Sequence, residues 1–135
     1  MKSQYLLFLV FFFSTIFGLW YRKKQGEIKT RDRKLEISSN EIGEKLGTRL
    51  TLLQFSSAFC SPCKATAAII TNLTKELSDV AYIQIKSEER LDLIEKFKIQ
   101  STPTVVLFDK SGLEVGRAVG TPTKEQVLAS IAAVR

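Results

Sequence analysis

The stretch at residues 50–63 has the sequence LTLLQFSSAFCSPC, and it decides the fold. Its first half is a short apolar run, which is typical of a strand buried in a parallel sheet. Its second half ends in Cys60 and Cys63, with Pro62 between them. Proline suits the first turn of a helix because it has no N–H to leave unpaired and its φ is already near the helical value. The stretch therefore predicts a buried strand, a short loop and a helix that begins at the cysteine pair.

The position of the two cysteines predicts their chemistry. Cys60 falls at the start of the helix, where unpaired backbone N–H groups and the helix dipole stabilise a thiolate. Lowering a thiol pKa from about 8.5 to about 7 raises the thiolate fraction at neutral pH from roughly 3% to roughly 50%. The spacing brings the sulfur of Cys63 one turn below that of Cys60, so Cys63 can attack a mixed disulfide on Cys60 and release the substrate thiol.

The chain after residue 36 alternates strands and helices. Strands are predicted at residues 50–56, 80–85, 104–108 and 113–119, and helices at residues 62–77, 87–97 and 124–134. The second helix is expected to start at Ser87, which is followed by two glutamates. The sequence DKSG at residues 109–112 is typical of a hairpin turn. The order β-α-β-α-β-β-α predicts an α/β fold in which helices cover a central sheet.

These features resemble the thioredoxin family. The resemblance rests on FSSAFCSPCK at residues 55–64, STPT at residues 101–104 and VG at residues 119–120, in that order, and it covers residues 50–135. It implies a thioredoxin-like fold with a mixed sheet and a thiol-disulfide oxidoreductase activity. Cys60 would be the exposed nucleophile and Cys63 the resolving thiol. No cofactor is implied beyond the redox-active disulfide Cys60–Cys63.

The resemblance also implies a substrate-binding surface. Its residues would be Phe59, Ser61, Pro62, Thr102 and Pro103. Pro103 would follow a cis peptide bond, and the backbone of Thr102 would pair with an extended substrate strand. The implied partners are protein disulfides and an electron donor that the sequence does not identify.

Three positions depart from the family pattern. Ser61 stands where the family commonly has Gly. Phe59 stands where thioredoxins usually have Trp, and Gln54 stands where they commonly carry a buried Asp that helps to deprotonate the resolving thiol. A glutamine cannot take a proton at physiological pH. Three alternatives follow: water serves as the base, a carboxylate such as Glu41 or Glu44 folds in, or the release step is slow.

Residues 5–21 have the sequence YLLFLVFFFSTIFGLWY, which carries no charge. As a helix this segment is about 25 Å long, close to the thickness of a bilayer core. Aromatic residues lie at both ends, where they favour the headgroup region. A cleaved signal peptide is the rival interpretation, but no small-x-small cleavage site follows. We therefore expect residues 1–21 to form a transmembrane anchor that contacts lipid through residues 5–21, as in small membrane-tethered bacterial thioredoxin-like proteins, which the chain also resembles.

The charge distribution supports this division. Residues 1–36 hold 8 Lys or Arg and 3 Asp or Glu, a net charge of +5, whereas residues 37–135 hold 12 and 11, a net charge of +1. Residues 22–36 are therefore expected to form a basic juxtamembrane tether, and residues 37–135 the thioredoxin-like domain. By the positive-inside bias this domain faces the cytoplasm from a single-pass anchor in the cell membrane. The nearly neutral domain disfavours nucleic-acid binding.

The composition narrows the chemistry further. The chain has no His and only two Cys. A Ser/His or Cys/His nucleophile is excluded, and so is a four-thiolate metal site within one chain. Two alternatives to the oxidoreductase remain open: a copper or iron-sulfur module that takes ligands from a second chain, and a thioredoxin-fold binding module with non-catalytic cysteines.

Overall fold

The structure is a computed structural model that describes residues 1–24, 28–29 and 35–134. In chain order, its elements are α1 (Lys2–Lys24), β1 (Ile28–Lys29), α2 (Ser39–Ile42), β2 (Leu50–Ser56), α3 (Ser61–Thr74), β3 (Val80–Lys86), α4 (Leu91–Phe97), β4 (Thr104–Asp109), β5 (Glu114–Val119) and α5 (Lys124–Ala133).

The strands form one mixed sheet in the order β1-β5-β4-β2-β3. The central strand β2 is parallel to β3 and antiparallel to β4. Strand β5 is antiparallel to both of its neighbours, β4 and the two-residue β1. The predicted thioredoxin-like fold, a mixed sheet flanked by helices and preceded by an apolar helix, is confirmed.

Alternation along β2 sends its side chains to two separate cores. Leu50 and Leu52 pack with Ile70 of α3 and with residues of α5 on one face of the sheet. Leu53 and Phe55 pack on the other face with residues of α2 and α4. The C-terminal end of β2, from which the chain enters α3, is therefore covered by a helix layer on each side.

One predicted helix start is wrong. The second long helix begins at Leu91 rather than at Ser87, and residues 87–89 form a turn. The backbone N–H of Ser87 donates to the carbonyl of Ser56 at 2.8 Å, so it continues the pairing between β2 and β3. Because this N–H of Ser87 is bonded to the sheet, the helix begins only after the turn at residues 87–89.

The segment predicted to be a tether also contributes to the sheet. Ile28 pairs with Ala118 of β5, and Glu36 forms an isolated bridge with Leu113. The sequence analysis had assigned no strand to this segment, because a pairing of two residues leaves no periodic pattern. Most of the predicted tether, residues 25–27 and 30–34, lies outside the described residues.

Helix α1 is long and apolar enough to cross a membrane, with a mean hydropathy of 1.6 over its most apolar stretch. None of its 23 residues is buried by the described part of the chain. A signal sequence has the same length and composition, so the helix alone does not determine topology.

Candidate active site

Cys60 and Cys63 are joined by a disulfide at the N-terminus of α3, with their Cα atoms 5.3 Å apart. Cys60 is the N-cap residue, and its Sγ accepts a hydrogen bond from the backbone N–H of Cys63 at 3.2 Å. Pro62 lies in the first turn, as the sequence predicts. The sulfur of Cys60 therefore occupies the place that a side-chain oxygen takes in other helix caps, where the N–H groups and the dipole favour negative charge.

The two cysteines differ in exposure. Cys60 is half-buried, whereas Cys63 is only 4% exposed. Phe59 is fully exposed beside them. Cys60 is therefore more accessible than Cys63 to an incoming disulfide, and the division into nucleophile and resolving thiol stays a prediction.

A groove of about 730 Å³ runs beside the disulfide. Pro62, Thr102 and Pro103 line it, and the peptide bond between Thr102 and Pro103 is cis, as the resemblance implies. Phe59 and Ser61 are exposed but are not among the residues that line this groove. The structure thus brings together three of the five predicted substrate-binding residues and leaves the other two on the adjoining surface.

Two threonines that the sequence analysis did not single out hold the first turn of α3. Thr66 is fully buried, and its hydroxyl contacts the carbonyl of Pro62 at 2.9 Å and the hydroxyl of Thr121 at 3.1 Å. Thr121 belongs to the loop between β5 and α5, which lines the groove. These bonds fix the cysteine turn against the far side of the groove. A threonine at a helix position three after a cysteine gives no distinct sequence signal for this contact.

Gln54 lies fully buried below the disulfide. Its Nε2 donates to the backbone carbonyl of Cys63 at 3.0 Å, and its Oε1 accepts a short hydrogen bond from the hydroxyl of Tyr82. Burial raises the pKa of the Tyr82 phenol well above its ordinary value of 10. Neither the Gln54 amide nor the Tyr82 phenol accepts a proton near neutral pH. These bonds therefore position Cys63 without supplying a base.

The carboxylates proposed as substitutes are elsewhere. Glu41 binds Lys96 at 2.7 Å, and it belongs to α2, on the face of the sheet opposite Gln54. Glu44 is exposed, one residue beyond the C-cap of α2.

A different carboxylate supports the loop that leads into the site. Glu88 accepts a hydrogen bond from the backbone N–H of Ala58 at 3.0 Å. This bond is the main reason why the pKa of the Glu88 carboxyl lies below its ordinary value of 4.5. Glu88 thus fixes the position of the loop two residues before Cys60, a role that requires long-range contact and leaves no local sequence pattern.

Within residues 1–24, 28–29 and 35–134, no three Cys, Asp or Glu side chains cluster as metal ligands would. A surface-accessible disulfide at a helix N-terminus, beside a proline-lined groove, defines a thiol-disulfide oxidoreductase site.

Comparison with known proteins identifies the family. The thioredoxin sequence profile matches residues 35–133. The thioredoxin of Chlamydia pneumoniae is 36% identical over 66% of this chain and 86% of its own, and that of Mycoplasma pneumoniae is 34% identical over 69% and 92%. The crystal structure of a thioredoxin from Nicotiana alata is similar, with a TM-score of 0.59 and 30% identity over 65% of this chain and 75% of that one.

This chain belongs to the thioredoxin family. It is a thiol-disulfide oxidoreductase, and proteins of this family act on protein disulfides without a cofactor.

Proposed function

We propose that the protein is a membrane-tethered oxidoreductase that reduces protein disulfides through Cys60 and Cys63. The observation that carries the tethering is α1, whose 23 residues include 19 consecutive uncharged ones and no residue buried by the described part of the chain. An apolar helix of this length that has no buried residue needs another apolar surrounding.

In the proposed reaction, the Cys60 thiolate attacks one sulfur of a substrate disulfide. A bond forms between Cys60 Sγ and that sulfur, the substrate S–S bond breaks, and the other substrate sulfur leaves as a thiolate that takes up a proton. Cys63 then loses its proton and attacks Cys60 Sγ. The Cys60–Cys63 disulfide forms, and the second substrate sulfur leaves and is protonated. Two electrons pass to the substrate, and an external dithiol donor must return them to the protein.

The exposure and capping of the two sulfurs support these roles. Cys60 is accessible, and the N-terminus of α3 stabilises its thiolate. Cys63 is buried and reaches only the sulfur next to it, so it is suited to the release step. Phe59 and Ser61 are proposed to contact the substrate outside the groove, and Pro62, Thr102 and Pro103 within it.

We place the domain on the cytoplasmic side. Most of the basic residues near the anchor follow it in the sequence: Arg22, Lys23, Lys24, Lys29, Arg31, Arg33 and Lys34. The positive-inside bias retains such a flank in the cytoplasm. A thiol pair in that reducing compartment acts as a reductase.

The activity is tested by insulin reduction in dithiothreitol with the full chain in detergent. The wild-type protein should accelerate insulin precipitation, and Cys60→Ser should fall to the rate with dithiothreitol alone. If the two proteins are equally slow, the cysteines are not catalytic and the binding module is the better interpretation. Bound copper or iron in the purified protein would instead favour the metal module.

The anchor and its orientation are tested in cells. A reporter active only in the cytoplasm, fused after Arg135, should give signal, and the protein should stay with the membrane pellet in alkaline carbonate. The intact mass should include residues 1–21. Signal from a second fusion, with a reporter active only outside the cytoplasm, would reverse the proposed orientation, and a mass lacking the first helix would identify a signal peptide.

A further inference from the structure

We propose that the substrate is a disulfide in a second membrane protein, within a short distance of the membrane surface and next to acidic residues. The inference rests on the proposed tethering and specifies which partner the tether selects.

The strand register joins the anchor to the end of the sheet that carries the disulfide. Strand β1 is antiparallel to β5, with Ile28 opposite Ala118 and Lys29 opposite Arg117. The direction from Lys29 to Ile28 is therefore the direction of β5 from Arg117 to Ala118, towards Gly120. The N–H of Gly120 donates to the carbonyl of Pro103 at 2.8 Å. The anchor thus enters the domain at the end that carries the substrate groove, and not at the opposite end of the sheet.

The connection is also short. Helix α1 ends at Lys24 and β1 begins at Ile28. Four peptide steps span at most about 14 Å even when fully extended. Since basic residues at the end of an apolar helix lie at the level of the lipid headgroups, the groove is held close to the membrane surface. A domain on a long flexible tether would reach distant disulfides equally well.

Residues of the anchor itself complete the groove. Tyr21, Arg22 and Lys24 line the same cavity as Thr102 and Pro103. Two cations from the end of α1 therefore line the same groove as the residues that are proposed to meet the substrate. Two positive charges beside a polypeptide-binding groove favour a segment with acidic side chains. A groove bounded by the membrane end of a helix fits a chain that itself emerges from the bilayer.

The test uses the full-length protein in neutral phosphatidylcholine vesicles, reduced beforehand with a dithiol. The probe is a single-span peptide whose disulfide loop, flanked by glutamates, lies a few residues from the membrane. Its twin carries the same loop on a flexible Gly/Ser spacer of about 40 residues. Loss of the probe disulfide is followed by alkylation and gel shift. We expect the near probe to be reduced about 10-fold faster than the far probe, since the short tether raises its effective concentration.

Two matched insertions test whether the preference for the near probe depends on tether length. A Gly/Ser linker of about 20 residues between Lys24 and Gln25 should reduce the preference for the near probe to less than about 2-fold. The same linker before Lys2, on the other side of the anchor, should leave it unchanged. Equal rates for the near and far probes with the wild-type protein would refute the proposal, and so would a preference that survives the first insertion.

The charge of the partner is tested with the near probe. Replacing its glutamates with lysines should slow reduction about 3-fold, as expected for exposed charge pairs. This difference should vanish in the Arg22→Gln, Lys24→Gln double variant. If anionic phosphatidylglycerol in the vesicles removes the difference in the wild-type protein, lipid headgroups occupy the groove and the acidic partner is wrong.

Insulin distinguishes a failure of this proposal from a failure of the proposed function. The wild-type protein and the variant with the linker before Lys2 should reduce soluble insulin equally in the same vesicles, and the variant with the linker after Lys24 should still reduce it. If none reduces insulin, the oxidoreductase itself is refuted, and if the protein is released by carbonate, the anchor is refuted. Normal insulin reduction by a firmly anchored protein without probe preference contradicts the membrane-proximal substrate alone.

Discussion

The surface around Cys60 and the layer beneath Cys63 are built from different chemistry. The outer rim, residues 59–62, is exposed or half-buried, and Cys60 owes its electrostatic setting to backbone N–H groups. In the buried layer, Gln54 and Thr66 are fully buried and Cys63 is nearly so. Within the described part of the chain, the side-chain hydrogen bonds of this layer run to a phenol, hydroxyls and backbone carbonyls, and none runs to a carboxylate.

The difference between the outer rim and the buried layer indicates what controls the two steps of the exchange, attack by Cys60 and release by Cys63. Attack by Cys60 depends on a thiolate that the helix N-terminus stabilises, so it is expected to be fast near neutral pH. Release depends on deprotonation of Cys63, and Gln54 cannot take that proton. The rim therefore favours formation of the mixed disulfide, and the buried layer limits its resolution.

The largest effect should come from removing the resolving thiol. Cys63→Ser leaves Cys60 accessible, so the first attack proceeds, but no sulfur remains to displace the substrate. Insulin turnover should stop, and a covalent adduct should accumulate on non-reducing gels. Cys60→Ser is the matched control and should form no adduct. An adduct in that control would show that the two roles are exchanged.

The next largest effect should come from supplying a base. Gln54→Asp places a carboxylate beside Cys63, which should speed release by about 10²-fold, the lower end for general-base catalysis. Burial raises the pKa of such a carboxyl, so the gain should appear only at pH values above that pKa. Stopped-flow decay of a preformed mixed disulfide measures the rate. Gln54→Asn, which keeps an amide, should show no gain, and an unchanged rate in Gln54→Asp at pH values above the pKa of the new carboxyl would rule out the missing base as the cause of slow release.

A smaller effect is expected from Tyr82→Phe. Loss of the hydroxyl leaves the buried Oε1 of Gln54 without its donor, which should lower the free energy of unfolding by about 1 kcal/mol. The release rate should change little, because the phenol supplies no proton acceptor. Urea unfolding and the stopped-flow assay measure the two quantities. A large loss of rate with unchanged stability would assign Tyr82 a direct part in proton transfer.

The smallest effect is expected at the loop before Cys60. The pKa of Glu88 is lowered in the folded state, so its ionised form contributes stability above the ordinary value of 4.5, and this contribution is lost as pH falls through the folded pKa. Glu88→Gln should therefore be less stable than the wild-type protein at neutral pH, and the gap should close on acidification. Denaturation at several pH values tests this. A gap that stays constant with pH would mean that the charge of Glu88 is irrelevant to its bond with Ala58.

Sequence patterns predicted the strands and the cysteine turn well, because short apolar runs and a proline between cysteines have local causes. The buried face of α3 does not follow the apolar residues of its sequence. The apolar positions Ala65 and Ala68 are exposed, whereas Thr66 and Thr74 are buried. Each buried threonine bonds the carbonyl four residues earlier, which satisfies its hydroxyl and lets a polar residue pack inside.

The supporting contacts of the site could not be predicted for a related reason. The bond between Glu88 and Ala58 joins residues 30 positions apart, and that between Thr66 and Thr121 joins residues 55 apart. Such pairs depend on how β3 and the loop after β5 are placed by the sheet. The short β1 was missed because its pairing is set by β5 and not by any periodicity of its own.

The amide at position 54 has a practical consequence for identifying physiological partners. If resolution of the mixed disulfide is intrinsically slow, an acid quench of intact cells followed by thiol blocking should preserve client proteins covalently attached to the unaltered enzyme. The unaltered protein, used as bait, would then recover its clients without the cysteine substitution that such trapping ordinarily requires.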